Sequence, residues 1–353
     1  MTDATTSPDA TDALVERLFG ATLGGLELLS VYLGWRLDLY RSLAESGPAT
    51  VKDFAAATDV DARYAQEWLE QQASAGFLDV DLDGEPTFSL PDAHQAVLVD
   101  PESLAHVAPF AAMLVGIAAA VPEVVEAYRT GAGVPYPRYG AEFRDGQGAI
   151  NRPAYHHEMA SWVASMPDVD ARLRAGGRIV DLGCGQGWST IALARTYPSA
   201  EVIGVDSDVA SIADATRNVE AAGVTVRLVT DDAAADAGTA DLVCIFEALH
   251  DMAQPVAVLS AARSKLAAGG ALLLVDERVE DEFTGAGEEV ERMMYAWSVL
   301  HCLPASRAES PSAALGTVLR RPTVRTLAAE AGFSTVTELE IENDFFRFYR
   351  LDP

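Results

Sequence analysis

Arg178-Ile-Val-Asp181-Leu-Gly183-Cys-Gly185-Gln-Gly187-Trp-Ser-Thr190 reads as an apolar strand, a glycine-rich turn and the start of a helix. Glycine tolerates positive φ and lets a ligand approach the backbone closely, so such a turn marks a nucleotide-type site. The spacing is not that of a pyrophosphate-binding loop, because one residue rather than two separates Gly185 from Gly187. An acid, Asp181, closes the strand instead. Its carboxylate repels a phosphate and suits a cationic amino group.

Toward the C-terminus, short apolar runs alternate with helical patterns. Strands are expected at 178–181, 201–206, 225–230, 241–246 and 271–276, and helices at 189–196, 209–222, 255–266 and 323–331. That alternation marks a parallel, doubly wound sheet. Asp206 ends the second strand, about 20 residues past the glycines, where a carboxylate accepts hydrogen bonds from both ribose hydroxyls. Ser207 or Asp208 can cap the helix that follows, which frees Asp206 for that role. Thr230-Asp231-Asp232-Ala233 ends the third strand, where either aspartate can take an adenine amino group.

Toward the N-terminus, residues 1–12 are polar and acidic and are expected to be a disordered tail, without the regions of a signal peptide. Residues 13–44 carry apolar side chains at helical spacing. Thr50 can then cap a short helix, and a second helix is expected at 62–75. Residues 77–90 alternate apolar and polar around Asp83-Gly84, a hairpin signal. Two helices and a hairpin make a winged helix. Residues 101–170 look helical and connective, with helices at 110–120, 122–128 and 153–164 broken by prolines and a Gly/Pro-rich loop. The run Phe110 to Val121 is too short to span a bilayer, which needs about 20 residues, and reads as a buried helix.

The net charge is −28, from 53 acids against 25 bases, and only Lys52 and Lys265 are lysines. Such a field repels nucleic acid and anionic membranes and suits a chain solvated in high salt. Residues 1–100 hold 18 acids against five bases, and Arg63 in the second winged-helix helix stands beside Glu67 and Glu70. Phosphate contacts supply most DNA affinity and need Lys and Arg, so the domain is expected to serve dimerisation and to cover the substrate rather than bind DNA. Three cysteines form no disulfide framework, and a cytoplasmic location is expected. No C-x-x-C, H-x-x-x-H, P-loop or G-x-S-x-G is present, so no metal site, hydrolase or nucleoside-triphosphatase is expected.

With these landmarks in order, residues 171–353 resemble class I S-adenosylmethionine-dependent methyltransferases. The resemblance extends over nearly the whole chain to a bacterial subgroup whose N-terminal domain is similar to winged-helix transcription regulators. It is carried also by Trp68-Leu-Glu-Gln-Gln72, Asn151-Arg-Pro153, Phe246-Glu-Ala-Leu-His-Asp-Met252, Val275-Asp-Glu-Arg278, the segment Tyr295 to Pro304, and Asn343-Asp-Phe-Phe-Arg-Phe-Tyr349. It implies an α/β fold: a Rossmann-like seven-stranded methyltransferase domain preceded by a mostly helical winged-helix-like domain. Two final strands, at 335–342 and 345–351, complete that sheet, with one of the last three antiparallel. It also implies S-adenosyl-L-methionine as cofactor, S-adenosyl-L-homocysteine as product, a small-molecule methyl acceptor and a homodimer.

The cofactor contacts expected are Asp181, Gly183, Cys184, Gly185, Gly187, Asp206, Ser207, Asp231, Asp232, Ala233 and Phe246. Acceptor pockets in such sheets lie beyond the strand C-termini. Glu247, His250 and Asp251 follow the fourth strand and Asp276 and Glu277 the fifth. His250 is the expected base, because neutral imidazole titrates near working pH, and Asp251 can orient it. His157, Tyr295 and His301 are further candidates for the pocket wall. Two rivals remain: a ligand-binding regulator that uses its winged helix, and a non-methylating enzyme on the same fold.

Overall fold

The computed structural model describes residues 8–231 and 238–353. The chain divides into two compact units, Met1–Val115 and Gly116–Pro353.

The first unit runs α1 (Pro8–Arg36), α2 (Leu39–Ser46), β1 (Ala49–Thr50), α3 (Val51–Thr58), α4 (Ala62–Ser74), β2 (Asp79–Asp81), β3 (Thr87–Ser89) and α5 (Asp92–Leu98). Capping fixes where the helix pair starts. The Thr50 hydroxyl accepts the Asp53 N–H at 3.2 Å, and the Asp61 carboxylate accepts those of Arg63 and Tyr64. Strand β3 pairs antiparallel with both β2 and β1, which builds the wing. Trp68 stacks on Phe54 at 5.8 Å, and its ring N–H donates to the Ser30 carbonyl at 3.1 Å. Trp68→Ala empties the centre of this small core. We expect it to lower the unit's stability by about 3–5 kcal/mol, measured by chemical denaturation.

Helix α1 begins at Pro8, so the described part of the stretch expected as a tail is helical. It leaves Leu14, Leu18, Phe19 and Leu26 between 56% and 72% exposed. Two described helices, Asp9–Arg36 and Phe110–Thr130, are long and apolar enough by length and composition to cross a membrane.

The division between units falls within α6 (Phe110–Thr130), which is followed by α7 (Gly140–Ala164) and α8 (Pro167–Arg174). Helix breaks were expected near Pro122 and Pro153, yet both prolines lie inside helices. Proline forfeits one backbone hydrogen bond and crowds the carbonyl four residues back. Burial of Ile117, Ala120, Val124 and Ala127 on α6, and of Tyr155, Met159 and Trp162 on α7, outweighs that loss.

The seven-stranded sheet contains β4 (Arg178–Leu182), β5 (Glu201–Asp206), β6 (Arg227–Thr230), β7 (Ala240–Phe246), β8 (Leu266–Glu277), β9 (Thr335–Glu338) and β10 (Phe346–Asp352). Their order is β6-β5-β4-β7-β8-β10-β9, with β10 antiparallel to both neighbours and the other pairs parallel. Helices α9 (Trp188–Thr196), α10 (Val209–Ala222), α11 (Pro255–Lys265), α12 (Glu289–Trp297), α13 (Leu303–Ser306) and α14 (Arg321–Glu330) complete the unit. Apolar cores lie on both faces, as a mostly parallel sheet requires. One joins the strands to α11 and α14, the other to α7, α8 and α9. Residues 140–174 are therefore a layer of the sheet unit rather than a separate connector. From β4 the chain winds outward through β5 and β6, then returns to β7 on the other side. The crevice at the C-terminal ends of β4 and β7 is thus the switch point at which such folds bind ligands.

Candidate cofactor and acceptor site

At that switch point lies a cavity of about 1110 Å³. Gly183, Cys184, Gly185, Gln186 and Trp188 line it after β4, Asp206, Ser207 and Asp208 after β5, and Phe246, Glu247, Asp251 and Met252 after β7. The loop is held from below: the Gly183 and Cys184 N–H groups both donate to the Val205 carbonyl, at 2.8 and 3.1 Å. Two glycines are demanded by geometry. Gly183 and Gly187 have φ of 77° and 80°, and a Cβ there would stand 2.8 Å from that of Ala248 and 3.0 Å from that of Ala215. A Cβ on Gly185 would meet nothing within 4 Å, which leaves an open cradle.

Asp206 lines the cavity at the end of β5. One oxygen accepts the Gly185 N–H and the other the Asp208 N–H, both at 2.8 Å. Each oxygen keeps a further lone pair for a ligand hydroxyl. Burial raises its pKa, and the hydrogen bonds from the Asp208 and Gly185 N–H groups oppose that rise.

Asp181 does not line the cavity, and its Oδ1 is buried without a hydrogen-bond partner among the described residues. It is buried beneath the loop, outside the cavity wall, and accepts the hydroxyls of Ser189 and Thr190 at 2.7 and 2.6 Å. Strand alternation turns it toward α9, so it clamps strand to helix. Burial pushes its carboxyl up to about 6.

Glu247, by contrast, faces the cavity. It lines the cavity at the end of β7 in a left-handed backbone conformation, φ 49°, which is strained for a side chain of its size. Asn151 Nδ2 and Tyr155 OH approach its two oxygens at 3.4 and 3.5 Å. Burial pushes its carboxyl up to about 7.

His250 does not face the cavity. It is 3% exposed, and its Nδ1 lies 2.9 Å from Asp276 Oδ1 and 3.2 Å from Glu277 Oε2. Its Nε2 lies 3.6 Å from Asp251 Oδ1. Burial alone would depress its pKa, but Glu277, Asp276 and Asp251 together raise it well above the ordinary value. A neutral imidazole base was expected. These neighbours favour the imidazolium, and of the five acid–base candidates only Glu247 and Asp251 line the cavity.

His157 is on the exposed surface, and His301 is buried, stacked on Phe143 at 4.0 Å. The Tyr295 hydroxyl accepts from Arg320 at 3.0 Å. None of these three lines the cavity, and neither does Gly187. Asp231 is exposed, its N–H donating to the Asp206 carbonyl at 3.0 Å. Asp232 and Ala233 lie outside the described residues. The residue-by-residue reading missed Arg144, Gln147, Tyr155 and Trp188, which come from α7 and α9. The motif Asn151-Arg-Pro153 was the available signal, because it places Asn151 on the α7 face toward the loop.

Comparison with known proteins agrees with this geometry. Residues 173–320 match the Methyltransferase domain family, and residues 25–100 match the Rv2258c-like winged HTH domain. The chain therefore carries a methyltransferase domain preceded by a winged helix-turn-helix domain of that type.

A ubiquinone biosynthesis O-methyltransferase of Cereibacter sphaeroides is 38% identical over 101 residues, 28% of this chain and 40% of that protein. An uncharacterized Synechococcus protein is 38% identical over 100 residues, 27% of this chain and 24% of its own length. The chain thus spans well under half of these relatives. Among solved structures, mitomycin 7-O-methyltransferase MmcR gives a TM-score of 0.68 at 18% identity, over 98% of this chain and 99% of that one. Human N-acetylserotonin methyltransferase in complex with SAM gives 0.67 at 18% identity, over 99% of each chain. These likenesses establish the fold.

Proposed function

We propose that the chain is an S-adenosylmethionine-dependent methyltransferase acting on a small molecule, with oxygen, nitrogen or carbon as the methylated atom. The observation that carries this reading is the buried Asp206 carboxylate at the open glycine loop, with a free lone pair on each oxygen. Asp206 would hold the ribose diol, and Glu247 the cationic methionine end. Arg144, tied to Asp214 at 2.6 Å, adds a cation to the cavity wall. The cofactor, when bound, supplies an electrophilic sulfonium methyl.

This chain's residues contribute orientation and a dry environment. Tyr136, Pro137, Met252, Ala253, Ala305 and Ala308 give the cavity apolar walls suited to an organic acceptor. Asp251, backed by the His250 imidazolium, is the acid positioned to accept a hydrogen bond from it. Displacement at a cationic sulfonium is already favourable, so alignment and exclusion of water carry most of the acceleration. Similarity to O-methyltransferases in both comparisons favours oxygen as the methylated atom.

The exposed apolar side chains of α1 support a homodimer. The acidic α4, whose Arg63 pairs with Glu67, supports a role other than DNA binding, and a cytoplasmic site fits that reading. Isothermal calorimetry with S-adenosylmethionine tests the proposal and is expected to show one site per chain. The absence of heat would overturn it. A salt-dependent DNA shift assay is expected to be negative, and a shift would favour a regulator.

A further inference from the structure

We infer that His250, Asp251 and Cys302 form a binding site for a borderline-soft divalent cation of the zinc type. The three residues come from two segments, the 3-10 turn Leu249–Asp251 after β7 and the π-helical turn Ser298–Cys302. No linear ligand motif announces them. Their donor atoms, the His250 ring nitrogen, an Asp251 oxygen and Cys302 Sγ, lie within 4.8 Å of one another.

Cys302 Sγ lies 3.3 Å from His301 Nδ1, whereas the separation of the other two ligands suits coordination better than a hydrogen bond. His250 Nε2 and Asp251 Oδ1 stand 3.6 Å apart, and that oxygen is buried with no hydrogen-bond partner among the described residues. Two ligands each about 2.0–2.2 Å from a tetrahedral ion stand roughly 3.3–3.6 Å apart. The imidazole is already oriented for the purpose. Asp276 holds Nδ1 at 2.9 Å, the carboxylate–histidine arrangement that directs the other ring nitrogen at a metal. That bond also decides between the two groupings available to His250. Nδ1 is engaged by Asp276 and Glu277, so the ion takes Nε2 and displaces the proton that the imidazolium carries there.

Charge points the same way. Three carboxylates surround one imidazole, and the ion pairs of Asp251, Asp276 and Glu277 among the described residues are all with His250. Asp276 Oδ2 is buried without a hydrogen-bond partner among the described residues as well. A divalent cation offsets this excess. A mixed nitrogen, oxygen and sulfur set selects zinc over magnesium or calcium.

Three protein ligands leave a fourth position, and one of the three, Asp251, lines the cavity. On the methyl-transfer reading, the fourth position would receive the acceptor's oxygen. Binding of the ion itself does not depend on that reading.

Equilibrium dialysis of the full chain against zinc, followed by elemental analysis, is expected to give one zinc per chain. Cobalt loading is expected to give tetrahedral d–d bands with a thiolate charge-transfer band. Cys302→Ser should abolish the charge-transfer band, and Asp251→Asn, at the cavity wall, should weaken zinc binding by about 10–100-fold. Thermal melts establish that each variant is folded. Failure of the wild-type chain to retain zinc overturns the inference, as does a charge-transfer band that survives in folded Cys302→Ser. Calorimetry with S-adenosylmethionine is a separate readout, so either proposal can fail alone.

Discussion

Asp206→Ala is expected to weaken S-adenosylhomocysteine binding by about 10²–10⁴-fold in calorimetry. The carboxylate has one free lone pair per oxygen for the ribose diol, and each hydrogen bond to a charged group contributes about 1.5–3 kcal/mol. The substitution also removes the partner of the Gly185 N–H, so the loop loses an anchor where the ligand must approach. Asp206→Asn keeps one acceptor but loses the charge, and should cost roughly tenfold. Binding within about threefold of wild type in a folded Asp206→Ala chain would remove the ribose assignment.

Glu247 should make cofactor affinity depend on pH. Its carboxyl titrates at about 7 in the empty site because burial disfavours the charge. A cationic methionine moiety binds the ionised form and draws the proton off. Affinity for S-adenosylmethionine should therefore be level above pH 7 and fall about tenfold per pH unit below it. Calorimetry below pH 7, in buffers of differing ionisation enthalpy, should register release of one proton. Glu247→Gln should flatten that profile and weaken binding above pH 7 by about 10–100-fold. A wild-type profile that is flat from pH 5.5 to 8 would show that Glu247 does not meet the cation.

The sign for folding is opposite. Because Glu247 holds its proton more tightly folded than unfolded, its contribution to stability is lost as pH rises from the usual glutamate range through about 7.

Much of the sheet unit was legible along the chain because strand and helix alternate there with sharp punctuation. The glycine loop, Asp206 and the order of elements follow from local spacing alone. What stayed hidden depends on neighbours distant in sequence. Asp181 looked like a ligand contact because it ends a strand beside the glycines. Only the facing hydroxyls of Ser189 and Thr190 show that its Oδ2 is tied to the following helix. His250 looked like a neutral base because its partners, Asp276 and Glu277, arrive a full strand later. Pro122 and Pro153 argued locally for breaks that packing overrode. The cavity wall from α7 was illegible for a related reason, since α7 is a long helix with little amphipathic pattern of its own.

The position of β10 has a consequence for how the protein assembles as it is made. Strand β8 pairs on one side with β7 at once, but its other neighbour comes from Phe346–Asp352, so that edge waits through the intervening chain. Phe346 and Arg347 then pair with Glu277 and Asp276. The acid cluster around His250 is thus walled in only when one of the sheet's longest-range pairings closes. Closing so large a loop is slow. A ribosome-bound chain would therefore display a bare apolar strand edge, ending in two acids, until β10 emerges.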